Sequence, residues 1–193
     1  MIPRMIVVAG PPGSGKSTLN PVSSFGVFYF NADDRAAELN GGSYVSISNE
    51  IRKIVSREFE AFVLGSIEKR ISFAIETTLR SEVTFDQARF AKQEGFVTEM
   101  RYLALRDFAS HFERVKARAD AGGDSASEAT LRRIYEASLR NLRRAVLEMD
   151  ILWVYDNTST DASHSLVLEA RNGEICFPAD EAPSWLTATL DLF

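Results

Sequence analysis

Met5-Ile6-Val7-Val8-Ala9 followed by Gly10-Pro11-Pro12-Gly13-Ser14-Gly15-Lys16-Ser17 reads as a buried strand, a glycine-rich loop and a helix start. The spacing fits G-x-x-x-x-G-K-[ST], the Walker A pattern that wraps nucleotide phosphates. Glycine lets the main chain bend tightly and approach an anion closely. The loop N–H groups and the positive end of the next helix then converge on that anion. Lys16 supplies a charge for the β- and γ-phosphates, and the Ser17 hydroxyl is a ligand for Mg²⁺. Thr18 carries the loop into the helix, which Pro21 cuts short. The candidate nucleotide set is therefore Gly10, Pro11, Pro12, Gly13, Ser14, Gly15, Lys16, Ser17 and Thr18.

The chain has 193 residues, 45% hydrophobic and 25% charged, an ordinary globular composition that fits a single domain over 1–193. A net charge of -5 argues against a general nucleic-acid binder. The one cysteine, Cys176, leaves no internal disulfide or cysteine-built zinc site, and His111 and His164 are too few for a histidine metal site. No apolar run spans a bilayer and no signal-peptide pattern opens the chain, so a soluble cytoplasmic protein without a membrane partner is expected.

Outward from the loop, Gly26–Phe30 reads as a second strand ending at Asn31-Ala32-Asp33-Asp34-Arg35. Asp33 or Asp34 could serve as general base or magnesium ligand, or simply cap a helix. Ser48–Arg70 is a helix whose apolar stripe, Ile51, Ile54, Val55, Phe59, Phe62, Val63 and Ile67, faces the core. Phe73-Ala74-Ile75 is a third strand, opening into Glu76-Thr77-Thr78-Leu79-Arg80, and either a substrate cluster or a helix capped by Ser81 or Thr84 follows. Helix 81–94 stops at Gly95. A fourth strand lies within 96–105. Helices over 108–121 and from Ser127 to about Met149 flank Gly122-Gly123-Asp124-Ser125. Their arginines are either a solvated face or a phosphate-clamping lid, over about 108–135, built on Arg118 with Arg132 or Arg133. A fifth strand, 151–155, ends at Asp156-Asn157-Thr158. A hairpin turning at Asn172-Gly173 and a short docked helix at Trp185-Leu186 complete the chain.

Strands alternating with helices predict an α/β, three-layer fold: a mainly parallel five-stranded sheet, helices on both faces, and a C-terminal hairpin. Polar clusters then share the carboxyl edge of the sheet, where ligands bind. Lys16, Asp33, Glu76, Thr78, Arg80 and Asn157 would line one cleft, with Asn157 joining the nucleotide-binding set, the layout of a phosphotransferase.

Gly-Pro-Pro-Gly-Ser-Gly-Lys-Ser, Asn31-Ala32-Asp33, Phe73-Ala74-Ile75-Glu76-Thr77-Thr78-Leu79-Arg80, Tyr135-Glu136-Ala137-Ser138-Leu139-Arg140-Asn141-Leu142 and Tyr155-Asp156-Asn157-Thr158 together resemble the zeta toxin family of P-loop kinases, in its short chromosomal form. The resemblance spans roughly residues 5 to 160. It implies a P-loop kinase fold and ATP- and Mg²⁺-dependent transfer to the amino-sugar 3′-hydroxyl of UDP-N-acetylglucosamine. It further implies Lys16 and Ser17 holding ATP and metal, Asp33 as base, and Glu76, Thr78 and Arg80 on the substrate. Arg118 and one of Arg132 or Arg133 would steady the transferring phosphoryl group, and an antitoxin would be the protein partner. The family's lid often reads Gly-Gly-His, where this chain has Gly122-Gly123-Asp124, and often places an arginine where Ile134 stands. A kinase for another hydroxyl acceptor (a nucleoside, sugar or antibiotic) and a regulatory nucleotide-binding module without transfer are the alternatives.

Overall fold

A computed structural model of the chain describes residues 2–120, 126–159, 164–178 and 182–191. The hinge predicted at Gly122-Gly123-Asp124-Ser125 lies outside them. Strand β1 (Arg4–Ala9) is central, and Met5 to Ala9 are fully buried. A strand covered on both faces needs no polar alternation, which is why its sequence is continuously apolar. Helix α1 (Lys16–Leu19) is four residues long and gives way to a 3-10 turn at Val22–Phe25. The chain continues through β2 (Phe28–Phe30), α2 (Ala32–Leu39), α3 (Asn49–Glu68), β3 (Phe73–Thr77), α4 (Val83–Gln93) and β4 (Val97–Ala104). Then follow α5 (Phe108–Asp120), α6 (Glu128–Glu148), β5 (Ile151–Asp156), β6 (Ser165–Arg171), β7 (Glu174–Pro178) and α7 (Ser184–Leu190).

One sheet takes the order β2-β3-β1-β4-β5-β6-β7. The first five strands are parallel and the last two antiparallel. The α/β class and the parallel five stand as the sequence predicts, and the hairpin extends the same sheet to seven strands. Its turn residues, Asn172 and Gly173, both have positive φ, as the two-residue hairpin turn requires.

The two faces are unequal. Met5, Val7 and Ala9 pack under α3, α4, α6 and α7 through Val63, Ile67, Phe85, Ala88, Leu142, Val146 and Leu186. Ile6 and Val8 meet only a small cluster around Leu19, Val22 and Phe25. Among the described residues, the helical layer on this second face consists of α1 and the 3-10 turn. Pro21 ends α1, and a hairpin rather than a helix follows β5. Arg101 lays its guanidinium over the Phe25 ring, 4.4 Å from the centroid, and 5.4 Å from that of Trp153. Arg4 and Glu99 pair at 2.6 and 2.9 Å nearby.

Two local expectations are corrected. Ile54 is 45% exposed, because α3 turns Val55, Val63 and Ile67 to the core and carries Ile54 off that stripe. Neither Ser81 nor Thr84 caps α4: Glu82 stands at the N-cap without a side-chain bond, and Thr84 is buried inside the first turn.

Candidate active site

The loop after β1 folds around its own lysine. Lys16 is 7% exposed, and its Nζ donates to the Gly10 carbonyl at 2.9 Å and the Pro11 carbonyl at 3.2 Å. Burial lowers the pKa of this ammonium, while Glu76 and then Asp33 oppose that shift by their charge and Arg118 adds to it. The Lys16 ammonium at the end of β1 thus feels charges carried on β3, α2 and α5.

Strand register explains Glu76. Val8 pairs with Glu76 and Ala9 with Thr77, so the carboxylate leaves β3 level with the point where β1 enters the loop. Ser17 Oγ donates to Glu76 Oε2 at 3.0 Å, and Lys16 Nζ lies 3.9 Å from Oε1. The sequence reading put Glu76 on the acceptor. The structure puts it against the hydroxyl expected to bind metal, a relation that appears only once β3 is known to lie beside β1.

Asp33 and Asp34 separate. Asn31 is the N-cap of α2, and its Oδ1 accepts from the backbone N–H of Asp33 at 3.0 Å and Asp34 at 3.3 Å. Capping is thus done by Asn31, and both carboxylates sit in the first turn. Asp34 accepts from the Tyr44 hydroxyl at 2.9 Å, whereas the exposed Asp33 is the carboxylate felt at Lys16. Arg35 closes this lobe by pairing with Glu58 of α3 at 2.7 and 3.0 Å.

Beyond β3, Thr78 is half-buried, Leu79 fully buried and Arg80 exposed. Leu79 has φ 55°, its N–H donates to Thr77 Oγ1 at 3.1 Å, and its carbonyl accepts from Asn141 Nδ2 of α6 at 2.8 Å.

Asn157 is placed differently from expectation. It follows β5 but is buried, and its Nδ2 donates to the Ser14 carbonyl at 2.9 Å. It supports the loop instead of facing the cleft, because the parallel pairing of β4 and β5 brings the end of β5 behind the loop. Of the lid arginines, Arg118 is exposed on α5 and acts on Lys16. Arg132 stacks 4.1 Å from the Phe108 centroid and pairs with Glu128 at 3.0 Å, a position within the helix pair. Arg133 is exposed.

Two residues escaped the sequence reading. His111 is 2% exposed and stands between the loop and β4. Arg114 Nη2 donates to the Asn157 carbonyl at 2.9 Å. The only sequence signal was a histidine one turn into the helix after β4, which nothing local distinguishes from a surface residue.

The donor set fits a triphosphate and a hard cation. Gly10, Gly13 and Gly15 all have positive φ, and Ser14 Oγ is buried in the loop without a protein partner. A polar atom so placed needs a ligand or solvent to satisfy it. Ser17 Oγ and the Glu76 carboxylate are the oxygen donors suited to magnesium. Among the described residues, no group of three or more His, Cys, Asp or Glu side chains is placed to hold a metal by itself.

No protein-family model matches the chain. An uncharacterised protein of Haemophilus influenzae is 26% identical over 129 residues, covering 65% of this chain and 87% of that protein. Among solved structures, a chain of the PezAT chromosomal toxin–antitoxin system of Streptococcus pneumoniae matches with TM-score 0.64 at 15% identity, over 98% of this chain and 79% of that one. A chain of the AvrRxo1-ORF1:-ORF2 complex solved with ATP gives TM-score 0.66 at 15% identity, over 90% of this chain and 60% of that one. At 15% identity, these two likenesses show a shared α/β fold.

Proposed function

We propose that the chain is an ATP- and Mg²⁺-dependent small-molecule kinase of the zeta toxin type, with the amino-sugar 3′-hydroxyl of UDP-N-acetylglucosamine as acceptor. The observation that carries this reading is the buried Lys16 ammonium, 3.9 Å from a Glu76 carboxylate that also accepts from Ser17, in a glycine loop whose Ser14 hydroxyl has no protein partner. In this reading 1–193 is one kinase domain with a lid over about 108–135. Its place is the cytoplasm, and a protein antitoxin is its partner. The toxin–antitoxin description of the PezAT relative supports that partner.

Each residue has a task. The loop N–H groups from Gly13 onward hold the phosphates, and Lys16 leaves the Gly10 and Pro11 carbonyls to bind them. Ser17 and Glu76 would hold the metal, which when bound neutralises charge on the phosphates. Asp33 takes the proton of the acceptor hydroxyl as its oxygen bonds to the γ-phosphorus and the bond to the β,γ-bridging oxygen breaks. Thr78 and Arg80 orient the acceptor. Arg118, with Arg132 or Arg133, faces the transferring phosphoryl group once the lid is closed. Such transfer depends on position and charge more than on covalent chemistry.

The test is product analysis by mass spectrometry with Mg²⁺-ATP and a panel of UDP-N-acetylglucosamine, nucleosides, sugars and antibiotics. A phosphorylated UDP-sugar is expected, with Asp33→Asn lowering kcat about 10²- to 10⁴-fold and Asp34→Asn changing it little. Product on another acceptor alone defeats the UDP-sugar assignment. Tight ATP binding without turnover on any acceptor defeats the kinase reading.

A further inference from the structure

The geometry points to His111 as a positioning residue that aims the phosphate loop from behind, through the Pro12 carbonyl, without touching a ligand. This inference rests on the nucleotide-binding reading of the loop.

His111 Nδ1–H donates to the Pro12 carbonyl at 3.0 Å, and its Nε2 accepts the Leu105 N–H at 3.0 Å. One neutral imidazole therefore spans the gap between the loop and the end of β4. A trans peptide is planar, so its C=O and N–H point in opposite directions. Holding the Pro12 carbonyl backward turns the Gly13 N–H forward. Asn157 does the same at the next bend but one: its hold on the Ser14 carbonyl turns the Gly15 N–H forward.

The sequence makes the His111 arm the more consequential. Pro11 and Pro12 have no N–H, so after Gly10 the next amide the loop can offer an anion is that of Gly13. The fit behind it is close. A Cβ built on Gly13 would stand 2.7 Å from the His111 carbonyl and 3.1 Å from Val115 Cγ2. Arg114, one turn along α5 from His111, is tied to the Asn157 carbonyl. The base of α5, first half of the expected lid, is thus fastened to the loop, and Arg118 lies beyond that fastening. Lys16, Arg114 and Asp107 are the charged groups around the ring, and Tyr135 of α6 lies against it at 5.2 Å between centroids.

The experiment measures binding of a fluorescent N-methylanthraniloyl-ATP and its competition by inorganic tripolyphosphate, which engages the loop alone. His111→Phe fills the space but offers neither bond, and is expected to weaken both probes about five- to tenfold. His111→Gln can donate and accept, and is expected to stay within about twofold of the unaltered chain. Circular dichroism checks folding, and His111→Met replaces the Phe variant if that one does not fold. Unaltered affinity in the apolar variant, or a Gln variant as weak as the Phe variant, overturns the role of His111 alone. If the unaltered chain binds neither probe, the nucleotide reading falls and this inference falls with it.

Discussion

A lysine with one-fourteenth of its surface in water normally loses its charge or finds oxygen. Lys16 finds it in two loop carbonyls and the nearby Glu76 carboxylate. His111 resolves burial the other way, by staying neutral. Desolvation pushes its pKa down to about 4, helped by Lys16 and Arg114 and opposed by the Pro12 hydrogen bond and Asp107. The unfolded chain takes up this proton near pH 6.5, so the fold binds fewer protons between those values. Stability is full above about pH 6.5 and declines as the pH falls toward 4. Urea unfolding should show a loss of about 2 kcal/mol between pH 7.5 and 5. The slope should flatten in His111→Gln, since no other buried histidine is present among the described residues.

At the scale of elements, α2 shows how a cap can serve a site. Asn31 holds the N–H groups of Asp33 and Asp34, and so fixes where the Asp33 carboxylate emerges. Asn31→Ala should cost about 1 kcal/mol in urea unfolding. It should also lower kcat while leaving nucleotide affinity near its original value, a split that steady-state kinetics resolves. The elements themselves were largely readable. Continuous apolar runs gave β1 and β3, helical periodicity gave α3 and α6, and Asn172-Gly173 gave the hairpin. What local pattern cannot contain is adjacency. Glu76 meets Ser17 because β3 lies against β1, and Asn157 turns to Ser14 because β5 lies beyond β4. His111 gains its role from a loop almost a hundred residues earlier. Each of these depends on strand order, which no window of sequence carries. Ile54 was misread for a simpler reason: an apolar residue at roughly helical spacing can still fall at the margin of the buried stripe.

For the whole molecule, the strand order brings β1, β3 and β4 together and leaves β2 and β7 as edges. Among the described residues, no helix is long and apolar enough to cross a membrane. A ligand gripped between the loop, α2 and α5 would stabilise all three against unfolding. Mg²⁺-ATP at about 100 times its Kd should raise Tm by about 5–10 °C. Lys16→Met should abolish that shift, as read by calorimetry.

Leu79 has a consequence for how this chain can vary. Its side chain is sealed in the core, its backbone lies in the left-handed region, and α6 grips its carbonyl through Asn141. Thr78 and Arg80 stand on either side of this rivet. Exchanging either flanking residue alters chemistry but not spacing. Losing a single residue between Thr77 and Arg80 would swing the anchor out of its socket and throw both neighbours out of phase. Length, more than identity, is what this segment has to keep.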